Sequence, residues 1–151
     1  MKPRVVVIGV GNLLLKDEGA GIHALQRLQE MDLPGEVTLI DGGTSPDLIA
    51  CVRAGDRLII IDAAKAGGEP GTIYRFLPED LAAGKATVAS AHEMGVAENL
   101  GLMKLAGNEP AATVIIGVEP KEIDWGTELS PELQQRLPAI VEAVLREINA
   151  P

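Results

Sequence analysis

The sequence predicts an α/β fold, a three-layer α/β/α sandwich built on a mostly parallel five-stranded sheet. Short runs rich in β-branched residues alternate along the chain with helical patterns, and nearly all the apolar residues are aliphatic. Such alternation is typical of a parallel sheet with helices on both faces and right-handed crossovers. At 151 residues and 46% apolar composition, residues 1–151 are expected to form a single domain.

The predicted strands are short apolar runs bounded by turn residues. They lie at Val5–Ile8, Glu36–Ile40, Leu58–Ile61, Thr72–Phe76 and Thr113–Ile116. The predicted helices cover Gly21–Met31, a segment capped by Ser45 with Pro46 as its first residue, Ser90–Leu105 closed by Gly107, and Ser130–Ile148. Pro138 is expected to kink or divide the last helix, because proline cannot donate the backbone hydrogen bond there.

Composition and charge exclude several classes of protein. The net charge is −9 and only Trp125, Tyr74 and Phe76 are aromatic, so neither a basic surface nor a stacking platform for nucleic acid is expected. No apolar run reaches the roughly 18 residues of a membrane span, and glycines interrupt the apolar residues near the N-terminus as a signal peptide would not allow. Cys51 is the only cysteine. A cytoplasmic protein with one buried thiol is expected.

Three residues of metal-ligating type stand where a parallel sheet would bring them to one edge. Glu18 follows the first strand, Asp62 ends the apolar run of the third, and His92 lies in the first turn of a predicted helix. In open α/β sheets, ligands collect at the carboxyl ends of the strands. The helix dipole disfavours the imidazolium form of His92 and keeps the ring available to a metal. Two carboxylates and one imidazole predict a divalent-metal site.

Each of these residues also has a plainer interpretation. Glu18 or its neighbour Asp17 is suited to capping the first helix, where acids are favoured. Asp62 is suited to forming a turn after its strand. The second histidine, His23, is expected to contact solvent or a neighbouring helix. The coincidence of Glu18, Asp62 and His92 at one sheet edge favours the metal site over the separate interpretations.

The first loop also permits a different class of function. Gly9 and Gly11 after a strand resemble the opening of a dinucleotide fingerprint, and Asp41 would be its ribose-binding acid. The third glycine of that pattern would fall at Leu14, and the acids that follow would repel a pyrophosphate. A nucleotide-binding or non-catalytic α/β module that uses the Gly9–Gly11 loop and Asp41 is therefore the alternative.

Five motifs in order carry a resemblance to a known family: GVGNLLLKDEGAG, DGGTSPDLI, DRLIIIDAA, SAHEMGV and IIGVEP. Together they resemble the hydrogenase maturation proteases. In that family the metal ligands are an acid of the first loop, the Asp of the third strand and a His before the long helix. These positions fall here on Glu18, Asp62 and His92. The first-loop acid is Glu where many relatives have Asp, and both supply oxygen ligands.

The resemblance implies an endopeptidase that removes the C-terminal tail of a nickel-iron hydrogenase large-subunit precursor after nickel insertion. It implies that Glu18, Asp62 and His92 are the catalytic and metal-binding residues, with nickel carried by the substrate or bound at the site and zinc or cadmium as substitutes. Either Glu18 or Asp62 would act as the base. The substrate-binding residues are expected to be Asp41, Gly42, Gly43 and Thr44. An ordinary tight turn is the other interpretation of that segment.

Trp125 follows the last predicted strand, in a loop that would overhang the same sheet edge. Two interpretations of its side chain stay open. It forms part of the substrate cleft, or it packs against the last helix near Leu133.

Overall fold

A computed structural model describes residues 3–44, 47–88 and 96–150 of the chain. Its strands are β1 (Val5–Val10), β2 (Val37–Gly43), β3 (Arg57–Lys65), β4 (Ile73–Phe76), β5 (Thr87–Val88) and β6 (Ala112–Val118). Its helices are α1 (Ala20–Gln29), α2 (Leu48–Cys51), α3 (Pro78–Ala82), α4 (Val96–Leu105) and α5 (Pro131–Ile148). A 3₁₀ helix, Lys16–Gly19, precedes α1.

The strands form one six-stranded sheet in the order β2-β1-β3-β6-β4, with β5 paired to β3. The pairings of β1 with β2 and β3, and of β3 with β6, are parallel, whereas β4 and β5 run antiparallel to their neighbours. The mostly parallel sheet is as predicted. The additional strand, β5, has only two residues. That is too short for an alternating pattern to reveal it.

Alternate residues of the central strands point to two separate cores. Val7, Ile59 and Ile61 belong to the core under α1 and α5. Ile8 and Ile60 belong to the opposite core, which includes Met103 of α4 and is flanked by side chains of α2 and α3. Strands buried on both faces are continuously apolar, as β1 is, because helices cover both sides of a parallel sheet. The predicted three-layer α/β/α sandwich is confirmed.

The helices differ from the predictions at their ends and by one additional short helix, α3, which was not predicted. The 3₁₀ turn takes up Lys16–Gly19, so α1 begins at Ala20. Pro138 lies on the exposed side inside α5, which continues unbroken through it, so the predicted division is wrong. The predicted helix starts at Ser45–Pro46 and at Ser90 lie outside the described residues. Among the helices of the described ranges, none is both long and apolar enough to cross a membrane.

The start of α1 packs directly on the backbone of two central strands. A Cβ atom built on Gly21 would lie 2.1 Å from the carbonyl oxygen of Ile61 and 2.5 Å from that of Val10. Only glycine allows the helix to approach the strands this closely. This contact holds the preceding 3₁₀ helix, and Glu18 with it, over the ends of β1 and β3.

Candidate functional site

Glu18 lies on the wall of a small pocket at the carboxyl edge of the sheet. The side chain is half-buried in the 3₁₀ helix. The pocket has a volume of about 120 Å³ and is lined by Glu18, Ala63, Lys65, Thr87, Val88, Pro120 and Ile123. A cavity of this size holds one amino-acid side chain or a few water molecules. Glu18 is therefore accessible from the pocket, and its role as a metal ligand stays a prediction.

Asp62 lies inside β3, opposite Gly117 of β6, and the strand continues to Lys65. The prediction that it ends the strand, and the alternative that it forms a turn, are both wrong. The run of apolar side chains breaks at Asp62, but the backbone pairing continues for three more residues. Asp62 is fully buried and alternates with Ile60 and Ala64, so it shares their face of the sheet, the one that α4 covers.

The structure brings Glu18 close to the part of β3 that contains Asp62. Ala63, next to Asp62, lines the pocket together with Glu18. His92, the third predicted ligand, lies outside the described residues. Across residues 3–44, 47–88 and 96–150, no group of three or more His, Cys, Asp or Glu side chains is arranged to hold a metal ion. The complete ligand set stays a prediction.

Asp41, Gly42, Gly43 and Thr44 lie beside the first loop. Asp41 is opposite Gly9 in the β1–β2 pairing, and the backbone N–H of Gly11 donates to the carbonyl of Gly43 at 2.9 Å. The Oδ1 atom of Asp41 accepts a hydrogen bond of 2.9 Å from the N–H of Gly43. The segment thus contains the local turn that one interpretation predicted. Its contact with substrate stays a prediction.

The first loop does not have the free backbone donors that a nucleotide phosphate needs. Protein acceptors take the N–H groups of Gly11, Asn12, Leu14, Leu15, Lys16, Asp17 and Glu18. A Cβ atom on Gly11 would lie 1.9 Å from the carbonyl oxygen of Glu18, so this glycine serves the close packing of the loop on itself. Because phosphate binding at such loops depends on unpaired N–H groups, the geometry argues against the nucleotide-binding alternative.

Asp17 has a role that the sequence did not reveal. Its carboxylate is fully buried and accepts hydrogen bonds from the N–H groups of Lys121, Glu122 and Ser130 and from the hydroxyl of Ser130, at 2.7–2.8 Å. It makes no side-chain cap for the helix that follows. Asp17 therefore fastens segment 119–130 to the element that carries Glu18. The only signal of this role in the sequence was the presence of two adjacent acids. Neighbouring side chains of a short helical turn point in different directions, so one acid faces the pocket while the other faces the interior.

Glu119 is a second buried acid that sequence reasoning did not single out. Its Oε1 atom accepts hydrogen bonds from the N–H groups of Ala66 and Gly68 and, at 2.7 Å, from the hydroxyl of Tyr74. Burial, and then the bond to Glu119, raise the pKa of the Tyr74 hydroxyl. Lys65 lines the pocket, and these bonds to Glu119 hold the turn that follows it.

His23 contacts segment 119–130 and not simply solvent or another helix. Burial lowers the pKa of its imidazole, a hydrogen bond with the backbone of Thr127 raises it, and the nearby charges of Arg27 and Asp17 respectively lower and raise it. The net shift is downward. Within the described part of the chain, its buried Nε2 atom has no hydrogen-bond partner.

The side chain of Trp125 is 76% exposed, whereas Leu133 is fully buried. The interpretation that the indole packs against the last helix near Leu133 is therefore wrong. Ile123, which lines the pocket, and Leu14 of the first loop are the nearby apolar side chains that are also exposed.

Comparison with known proteins supports one family. The profile of a family described as hydrogenase maturation protease matches residues 22–147. The hydrogenase expression/formation protein HupD of Thiocapsa roseopersicina is 37% identical over 150 residues, which is 95% of this chain and 66% of that protein. The hydrogenase 2 maturation protease of Escherichia coli K12 is 32% identical, over 97% of this chain and 91% of that protein.

Comparison with solved structures supports the same family. The structure of the hydrogenase maturating endopeptidase HybD from E. coli superposes with a TM-score of 0.83 and 32% identity, covering 97% of this chain and 94% of the other. A sequence profile that covers most of the chain and this superposition lead to one conclusion. The chain belongs to the hydrogenase maturation protease family.

Proposed function

We propose that this protein removes the C-terminal tail of a nickel-iron hydrogenase large-subunit precursor after nickel insertion. The observation that supports the proposal is a chain of the hydrogenase maturation protease family whose Glu18 lines a pocket together with Ala63, the neighbour of Asp62. Family membership implies peptidase activity. The choice of substrate and the role of nickel belong to the proposal.

The donor set fits a borderline divalent metal. Two carboxylates and one imidazole, from Glu18, Asp62 and His92, suit nickel carried by the precursor, and zinc or cadmium would replace it. The metal, when bound, would polarise the scissile carbonyl or acidify a water molecule. The burial of Asp62 favours recognition of a cation there, because a carboxylate interacts more strongly with positive charge away from water.

The side chains have separable tasks in the hydrolysis. A water molecule adds to the scissile carbonyl carbon, its proton passes to a carboxylate, and the leaving amine takes up a proton as the C–N bond breaks. Glu18 faces the pocket, so it is better placed than the buried Asp62 to exchange protons with an entering water. Asp41, Gly42, Gly43 and Thr44 would contact the precursor backbone alongside the first loop.

The compartment is part of the same proposal. A single cysteine offers no intramolecular disulfide, which agrees with folding in a reducing cytoplasm. The partner is the precursor, with no role for nucleic acid or membrane.

Purified protein mixed with nickel-loaded and nickel-free precursor tests the proposal. Mass spectrometry is expected to show the trimmed product and the released tail only with the nickel-loaded precursor. Equal cleavage of both forms would contradict the proposed role of nickel. Cleavage of neither form would overturn the proposed function.

A further inference from the structure

We infer that Leu14, Ile123 and Trp125 form a preassembled docking surface for an apolar segment of the precursor that is flanked by basic residues. This inference rests on the proposed function, whose site it adjoins. The three side chains, named here the apolar patch, are 55%, 41% and 76% exposed respectively. Large exposed apolar groups that lie together mark interaction sites more often than bare surface.

Backbone hydrogen bonds hold the patch in one piece. Leu15 and Gly126 form a parallel bridge, so Leu14 and Trp125, each one residue earlier, lie side by side. The N–H of Gly126 donates to the carbonyl of Leu14, and the N–H of Lys16 donates to the carbonyl of Gly126, both at 2.9 Å. The two segments therefore form a ribbon outside the main sheet.

Further hydrogen bonds hold the ribbon next to the Leu15–Gly126 bridge. The N–H of Asp17 donates to the carbonyl of Glu122, and the buried Asp17 carboxylate accepts from the backbone on either side of the patch. A surface held in this way loses little conformational entropy on binding, which favours affinity. Trp125 is the expected main contact, since tryptophan is enriched among residues that dominate binding energy.

The patch is continuous with the candidate active site. Ile123 belongs to the patch and also lines the pocket, with Glu18 on the same wall. A chain seated on the patch would enter the pocket directly. The occupant is therefore expected to be a segment of the precursor that docks while another part of the same molecule is cut.

The charges around the patch indicate the chemistry of that segment. The lysines of these two segments are already paired with acids, Lys16 with Glu122 and Lys121 with Glu132. Asp124 and Glu128 are exposed, and no cation of the described chain forms an ion pair with either. Acidic groups beside an apolar centre favour a partner with basic residues at its rim. They disfavour a second copy of this chain, whose net charge is also −9.

Two kinds of measurement test the inference with Trp125→Ala and Leu14→Ala. With nickel-loaded precursor, KM is expected to rise at least about tenfold for Trp125→Ala while kcat changes little, since the patch binds substrate without touching the scissile bond. Binding of nickel-free precursor, followed by interferometry, is expected to weaken by a similar factor. Trp125→Phe is expected to recover most of the affinity.

Leu105→Ala is the matched control. Leu105 is 87% exposed but lies at the end of α4, away from the patch, so its replacement is expected to leave KM and binding unchanged. Glu128→Lys is expected to weaken precursor binding and to reduce the dependence of that binding on salt. Glu30→Lys makes the same change of charge at the far end of α1 and is expected to have neither effect.

The outcomes separate this inference from the proposed function. Wild-type cleavage with unchanged KM and binding in both patch variants would overturn the docking surface and leave the proposed function standing. Binding that depends on the patch, without any cleavage by the wild type, would support the surface and overturn the proposed function. Neither binding nor cleavage by the wild type would overturn both.

Discussion

Asp17 and Glu18 are adjacent in the sequence but lie in different surroundings in the fold. Asp17 is buried and accepts four hydrogen bonds, while Glu18 faces the pocket. The motif predicted Glu18 as the ligand of the pair, and Glu18 lines the pocket whereas Asp17 does not. It did not predict the structural role of its neighbour, because the partners at Lys121, Glu122 and Ser130 are remote in sequence.

Replacement of a predicted ligand is expected to abolish cleavage and leave the fold intact. His92→Ala removes the imidazole ligand and Glu18→Gln removes the negative charge and basicity of the carboxylate, and a catalytic group of this kind contributes at least about a hundredfold in rate. Asp62→Asn is preferred to alanine because the side chain is fully buried and alanine would leave a cavity. Circular dichroism and a cleavage assay on the same samples measure both effects. Full activity of His92→Ala would contradict the assigned ligand set.

His23 is expected to make the protein less stable in mild acid. Its pKa in the folded state lies below the unfolded value near 6.5, so the unfolded chain binds the proton more readily. Stability from this residue is complete above about pH 6.5 and is lost as the pH falls below that value. Urea unfolding between pH 5 and 8 measures the effect, and His23→Gln should flatten the profile.

The chain contains two histidines, so His92→Gln is the matched control for that experiment. A pH profile that is unchanged by His23→Gln but flattened by His92→Gln would show that the acid sensitivity comes from His92, and would contradict the prediction.

Among the elements, the 3₁₀ helix and segment 119–130 act as one unit because Asp17 joins them. Asp17→Asn replaces an acceptor oxygen with an amide that faces N–H donors, so unfolding is expected to become easier by about 3 kcal/mol. Ser130→Ala removes only the hydroxyl contact and should cost about 1 kcal/mol. Chemical denaturation gives both values. Equal, small effects from the two changes would show that the buried carboxylate does not fasten the segment.

The sequence predicted most elements that depend on local pattern, with the short helix α3 as an exception, and missed those that depend on distant partners. β1, β3 and β6 were recognisable because continuous β-branched runs suit a strand buried on both faces. The end of β3 was misplaced because Asp62 interrupts the apolar run, although pairing with β6 keeps the backbone extended. The 3₁₀ helix was absorbed into the predicted loop, since its stability comes from contact with segment 119–130.

Less of the candidate site could be predicted, and its ligand set stays a prediction. The parallel sheet brings residues after consecutive strands together, so Glu18 and Asp62 were expected at one edge. The pocket itself was not expected, because Thr87 and Val88 belong to the two-residue strand β5 and Ile123 belongs to an irregular segment. The exposure of Trp125 was left open by the sequence, since an indole is equally suited to packing and to binding.

For the whole molecule, stability resides in the two aliphatic cores and not at the sheet edge. Helices cover both faces of the sheet, and neither Glu18 nor Asp62 belongs to the two clusters of core side chains. Removal of metal with EDTA is therefore expected to leave the thermal midpoint within about 1 °C, since only a ligand bound to the folded state raises it. Differential scanning calorimetry with and without chelator makes the measurement. A fall of several degrees would indicate a resident structural metal.

The hydrogen bonds between Asp17 and Ser130 join residues 113 positions apart. Contacts between residues so distant in sequence form late in folding, because the entropy of closing the intervening loop is lost before they form. During synthesis, β1 and the 3₁₀ helix leave the ribosome long before Ser130 exists. The pocket wall that contains Pro120 and Ile123 can be completed only after segment 119–130 has been made and fastened. A growing chain therefore carries its acids without a finished cleft, and competence to cut is expected to appear only after segment 119–130 has been made and has folded against the 3₁₀ helix.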